Sequence, residues 1–150
     1  MTLEQWATLR SRFRFACGYC GTTETSVGSQ LTVDHYHPTS RGGPDDETNW
    51  VLCCFACNSF KGAFWSVDEE QRLLRPLQDD FTVHIEQREG VMFGLTRRGQ
   101  QHIERLHLNR EQLIAHRLDT ATIAQLQERI SIAEERLERA LKRIESLRQS

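Results

Sequence analysis

No apolar run in this 150-residue chain is long enough to cross a bilayer, which argues against a helical membrane span. The opening stretch, MTLEQWATLRSRF, has no basic start followed by an apolar segment. No secretion signal is therefore expected, and a reducing compartment such as the bacterial cytoplasm is the expected setting. A dominant charge is missing too: the formal net charge is -2, which neither points to a phosphate-bearing partner nor excludes one. The charge is uneven, with acidic residues in excess over 67–96 and basic residues in excess over 97–150. What is present is ordinary for a soluble protein, 38% hydrophobic and 27% charged, at a length that suits one main domain and an appendage.

Five cysteines without an export signal point to metal or redox chemistry rather than disulfides. Their spacing favours metal. Cys17-Gly-Tyr-Cys20 and Cys54-Phe-Ala-Cys57 are two CxxC pairs separated by a longer loop. Each pair supplies two sulfurs on a tight turn, and the loop brings the pairs together, as tetrahedral thiolate zinc requires. Cys53 falls outside the pairing and reads as a free, buried thiol on a strand.

The local pattern predicts the elements. Thr2-Leu-Glu-Gln5 is a capping box opening a helix to about residue 10. Residues 30–34 alternate as a short strand, and Trp50-Val-Leu-Cys53 reads as its antiparallel partner. A polar loop with Gly42-Gly43-Pro44 joins them, and a helix follows from Cys54 to near Gly62. Ser66-Val-Asp-Glu69 is a second capping box, predicting a helix bounded by Pro76. Phe81, Val83 and Ile85, then Val91, Phe93 and Leu95, alternate on either side of Arg88-Glu89-Gly90, predicting a hairpin. Helices are expected from Thr96 to about His107, and from an Asn109 cap to about Leu118. In the tail, Ile123, Ile130, Leu137 and Ile144 take heptad a positions and Leu126, Ala133, Ala140 and Leu147 take d positions. Glu135→Arg139 and Glu138→Lys142 add i,i+4 support. Two readings stay open for this tail: a long amphipathic helix on its own domain, or a coiled coil pairing with a second copy or a partner protein.

Between the cysteine pairs lies VDHYHPTSRGG, then Asn49. Asp34-His35-x-x-Pro38, Gly42-Gly43, Asn49 and Cys54-x-x-Cys57-Asn58-x-x-Lys61 together resemble the HNH endonuclease motif, in the form with a final Asn and a four-cysteine zinc scaffold. The resemblance covers about residues 17–62. Residues 65–117, with GLTRRG and ERLHLNREQLIAHR, also resemble the C-terminal part of stand-alone bacterial HNH proteins. It implies an α+β fold: a zinc-stabilised ββα-metal core (1–66), a hairpin and helix extension (67–118) and a long heptad-patterned helix (119–150). It further implies that His35 is the general base, that Asp34 and Asn58 bind Mg²⁺ or Mn²⁺, and that Asn49 orients His35. Cys17, Cys20, Cys54 and Cys57 would bind structural Zn²⁺.

Phosphodiester hydrolysis suits this set. A neutral imidazole can deprotonate water, and a hard cation on oxygen ligands can stabilise phosphoryl and leaving-group charge. Asp34 and His35 are neighbours, so a bend in the strand must aim both at one site, an expectation taken from the family. Lys61, Arg41, Arg97 and Arg98 are candidate phosphate contacts. His37 is a DNA contact or a bystander. The expected function is metal-dependent hydrolysis of DNA, duplex DNA first. The rival readings are a non-catalytic zinc-stabilised nucleic-acid-binding or adaptor module, and a partner-dependent nuclease subunit of a larger complex such as a phage-defence assembly.

Overall fold

The computed structural model describes residues 1–148. It is a mixed α/β protein with two small antiparallel hairpins and a long C-terminal helix. The chain divides into two compact units, Met1–Arg110 and Glu111–Ser150.

Helix α1 (Leu3–Arg12) opens as its sequence predicts. Thr2 Oγ1 accepts from the Gln5 amide at 3.2 Å, and Gln5 Oε1 accepts from the Thr2 amide at 2.7 Å. Two free amides at the helix start are thereby satisfied. After a short turn of helix, α2 (Glu24–Val27), the chain enters β1 (Thr32–His35). This strand pairs antiparallel with β2 (Trp50–Cys53) in the register Thr32↔Cys53, Val33↔Leu52, Asp34↔Val51 and His35↔Trp50. All four β2 residues are buried, as a continuous apolar run should be, and Cys53 is a buried free thiol as expected. Helix α3 (Phe55–Lys61) starts immediately after β2, with Cys54 at its N-cap. Strand, loop, strand and helix thus form the ββα unit.

The rest of the first unit packs against this core. Tyr36 donates its hydroxyl to the Leu73 carbonyl at 2.6 Å, and Leu73 and Leu74 are buried. Helix α4 (Phe81–His84), strands β3 (Ile85–Arg88) and β4 (Val91–Gly94), and helix α5 (Arg97–Arg105) follow. Between β3 and β4, Glu89 and Gly90 both have positive φ, 48° and 77°. A two-residue loop of that kind matches the twist of the strands, and Gly90 adopts it without steric cost. Helix α5 starts where the sequence predicts, with Thr96 as its cap, accepting from the Gly99 amide at 3.1 Å.

Four local expectations are corrected. The segment after Ser66 is not a helix but a single 3-10 turn, Glu69–Gln71, capped by Asp68. Residues Phe81–His84 are helical rather than extended, because Asp80 accepts from the Thr82 amide and starts a turn of helix; the hairpin begins only at Ile85. Asn109 does not cap a helix. Its side chain accepts from the Met92 amide at 2.8 Å and donates to the Met92 carbonyl at 2.7 Å, acting as a partner to β4. Helix α6 (Glu111–Arg148) then runs for 38 residues with no break near Leu118, so two expected helices are one.

Candidate active site and thiolate centre

The two CxxC turns meet. Cys17, Cys20, Cys54 and Cys57 are all buried, and their sulfurs lie within 4.8 Å of one another. The Cys20 and Cys54 sulfurs are 3.8 Å apart. A tetrahedron with metal–sulfur bonds of about 2.3 Å has edges of about 3.8 Å, so the set fits zinc in both donor type and size. Crowding makes the sulfurs share protons. Hydrogen bonding with Cys17 holds the Cys20 thiol low and brings Cys54 down to about 7, while bonds with Cys20 and Cys17 respectively push Cys17 and Cys57 up. A bound zinc ion would replace this sharing with four thiolates.

The loop between β1 and β2 is clasped by Asn49, which is 2% exposed. Its Oδ1 accepts from the His37 amide at 2.9 Å, and its Nδ2 donates to the His37 carbonyl at 2.8 Å and the Pro44 carbonyl at 2.7 Å. Asn49 therefore holds the backbone on either side of the loop. Gly43 makes the clasp possible, since a Cβ there would fall on the His37 carbonyl.

His35 stands at the last pair of the hairpin with its side chain 28% exposed. Its Nε2 lies 2.7 Å from Asp45 Oδ1, and the same oxygen accepts from the Trp50 indole N–H at 2.8 Å. The bond to His35, followed by the one to Trp50, holds the Asp45 carboxyl below its ordinary value. Asp46, next in the chain, is used locally: it accepts from the Thr48 amide at 2.8 Å.

Asp34 has different company. It is buried, and its Oδ2 accepts from the Tyr19 hydroxyl at 2.6 Å. Lys61, 1% exposed, reaches Asp34 Oδ1 at 3.0 Å and Oδ2 at 2.9 Å, and also donates to the His35 carbonyl at 2.7 Å. Burial, followed by the charge of Asp34, pushes the Tyr19 hydroxyl well above its usual range, so it remains a donor. The strand pairing continues in regular register through His35. Successive strand side chains leave on opposite faces, and β1 ends at His35, where the chain turns into the loop. Asn58 lies on α3 one turn before Lys61, on the helix flank shared with it, and among the described residues no side chain hydrogen-bonds its amide. Asp34 and Asn58 are oxygen donors that suit a hard divalent cation, and a carboxylate retains acceptor capacity beyond three bonds. Lys61 already neutralises that carboxylate, so a cation there competes with it.

The candidate phosphate contacts separate into two groups. Lys61 is interior and does not present its charge to solvent. Arg98 is committed to Asp79 at 2.7 Å and to the Leu73 carbonyl at 3.2 Å. Arg41 and Arg97 are exposed. His37 donates from Nε2 to the Arg41 carbonyl at 2.9 Å and stacks on Trp65, ring centroids 3.8 Å apart. Sequence reasoning missed Tyr19, Asp45 and Trp50. Tyr19 lies inside the first CxxC, a visible signal; the other two become partners only when the hairpin closes.

Residues 17–64 match the family model for HNH endonucleases, so this segment is an HNH endonuclease domain on a mixed α/β scaffold with a four-cysteine cluster. No curated protein and no solved structure matches the chain.

Proposed function

We propose that this protein is a metal-dependent endonuclease that hydrolyses phosphodiester bonds in DNA, with duplex DNA as first substrate. The observation that carries the reading is His35: a part-exposed imidazole on a clasped hairpin, inside the segment that matches the family. In this reading His35 takes a proton from water, and the resulting hydroxide attacks phosphorus in line with the leaving 3′-oxygen. Asp34 and Asn58 would hold a Mg²⁺ or Mn²⁺ ion, which neutralises charge on the phosphoryl and leaving oxygens. Asn49 keeps the loop closed so that His35 stays in place. Arg41 and Arg97 present positive charge for the phosphate backbone, and Arg98 is paired with Asp79. Zinc on the four cysteines serves as the core of a ββα unit too small to bury much apolar area.

Residues 1–66 would thus carry the chemistry, 67–118 support it, and 119–150 provide association. Five unpaired cysteines suit a reducing cytoplasm. A single site cuts one strand per engagement, and two copies joined through α6 would act on both strands. A zinc-stabilised nucleic-acid-binding module is the second reading. The neutral Asp34–Lys61 pair favours it, because that carboxylate is satisfied without a metal.

Supercoiled plasmid tests both. Wild type is expected to cut with Mg²⁺ or Mn²⁺ and not with EDTA, and His35→Ala to lose cutting while retaining zinc. Plasmid binding without cutting by a zinc-loaded wild type would favour the module.

A further inference from the structure

Next to the motif residues stands a group that the motif does not contain. Asp45 lies on the exposed loop, yet its Oδ1 is held from two sides, by His35 Nε2 at 2.7 Å and by the Trp50 indole at 2.8 Å. Trp50 is buried and pairs directly across the hairpin from His35, so the carboxylate is fixed to the strand that faces the histidine. On the other side, the Pro44 carbonyl is fastened by Asn49. An exposed aspartate serving only its own loop would behave as Asp46 does, bonding a residue two positions away. Asp45 instead reaches ten residues back to an imidazole.

An ionised carboxylate only accepts hydrogen bonds, so the imidazole nitrogen facing it carries the hydrogen. In the neutral ring the other nitrogen then holds the lone pair. Resting on the nuclease reading, we infer that Asp45 is a positioning residue for His35: it keeps the ring proton on Nε2 and leaves Nδ1 as the atom that takes a proton from water. In the reaction, one water O–H bond breaks and its proton passes to Nδ1. The oxygen forms a bond to phosphorus as the bond to the 3′-oxygen breaks, and the leaving oxygen takes the electron pair and then a proton from solvent. The imidazolium carries hydrogens on both nitrogens. Nε2–H stays on Asp45, whose negative charge opposes the positive charge of the ring, and Nδ1 returns its proton to solvent. Asp45 touches neither substrate nor metal. It acts through the orientation and tautomer of His35.

The test pairs spectroscopy with cleavage on the full chain. Two-bond ¹H–¹⁵N spectra of ¹⁵N-histidine-labelled protein report which ring nitrogen is protonated, with His35→Gln assigning the signal. Wild-type His35 is expected in the Nε2–H form. In Asp45→Asn the carboxamide can donate as well as accept, so the single tautomer is expected to be lost. Plasmid cleavage should fall on the order of 10²–10⁴-fold in kcat with KM little changed, between the loss typical of an outer-shell partner of a metal-bound histidine and the ~10⁴-fold loss when a serine protease's histidine loses its orienting carboxylate. Asp45→Glu, which keeps a carboxylate, should restore part of the tautomer and the rate. Equal zinc content in all variants shows an intact scaffold. Nδ1–H at wild-type His35, or an Asp45→Asn protein with unchanged tautomer and kcat, overturns the assignment. A wild type that never cuts sinks the nuclease reading instead. The spectra then decide alone: loss of Nε2–H in Asp45→Asn supports Asp45 as the group that sets the ring, and retention overturns it.

Discussion

The HNH segment and the long helix α6 handle their apolar and charged groups in opposite ways. Over residues 17–64 four sulfurs, a buried lysine and a buried aspartate are drawn inside and matched to one another. From residue 118 to 148, α6 leaves every side chain exposed, including Ile123 at 55%, Ile130 at 57% and Leu137 at 61%. The first region hides polar groups because each has a partner; the second displays apolar ones that have none among the described residues. Exposed large apolar residues in a regular stripe are what the proposed association would cover. The difference teaches that a motif with internal partners carries its own explanation, whereas the use of an exposed heptad repeat is decided by measurement in solution.

The sharpest way to break this contrast is to remove the thiolate centre. Cys54→Ser, or chelation at neutral pH, should unfold the first unit. Structural zinc supplies on the order of 10 kcal/mol in domains of this type, about the whole stability of a small fold. Loss of the cooperative thermal transition, followed by tryptophan fluorescence, checks it; an unchanged transition would mean that the sulfurs are not what holds the core.

A smaller but still large effect is expected at the buried pair. Lys61→Met removes the cation and leaves Asp34 beside Tyr19 with its charge uncompensated, and should cost about 3–5 kcal/mol. The double variant Lys61→Met, Asp34→Leu should recover much of that loss. Urea titration of the four proteins closes the cycle.

His102 contributes next. It is fully buried, accepting from the Leu74 amide at 3.1 Å, and burial lowers its pKa from 6.5 to about 4. The unfolded chain takes up the proton as pH falls through 6.5, and the folded chain does so only near 4. Stability is therefore complete above pH 6.5 and declines by up to about 3 kcal/mol as pH falls to 4, then levels. His102→Gln should flatten that slope. Comparing wild-type and variant urea midpoints at pH 7 and pH 5 isolates the term from acid effects on the thiolates.

The least effect on the first unit is expected from the second. Deleting residues 119–150 should change the stability of the first unit by less than about 0.5 kcal/mol, as for sites without shared partners, while taking the solution mass from that of a dimer to that of a monomer of the shortened chain. In a parallel pair, Arg129 at a g position faces Glu134 of the second copy at e while Arg143 faces Arg148, and an antiparallel pair sets the g row, with Arg129, Arg136 and Arg143, against itself. Sedimentation equilibrium reads the mass. A full-length monomer would remove the contrast, and with it the proposal that two sites act together on duplex DNA.

Particular residues show how far the sequence could be read. The CxxC spacing, the Thr2 capping box, the helix start at Thr96, the β1–β2 hairpin and the helical periodicity after residue 111 were legible because each is written in positions a few residues apart, where chain geometry alone relates side chain to side chain. The 81–84 segment was misread because alternation cannot register an aspartate cap that outcompetes it. Asn109 was misread because a good cap residue can equally pair with a strand across the fold.

The sequence by itself determined which atoms are available: four thiols in two pairs, a carboxylate beside an imidazole, an asparagine across a glycine turn, and a repeat of apolar residues in the tail. Only the tertiary structure decided their partners. Lys61 belongs to Asp34 across 27 positions, Asp45 is shared by His35 and Trp50, and Asn49 fastens the backbone at His37 and Pro44. The physical reason is desolvation. A charge or amide taken from water must find its match among whatever groups packing brings near, and that choice is made by the closed fold, not by spacing along the chain.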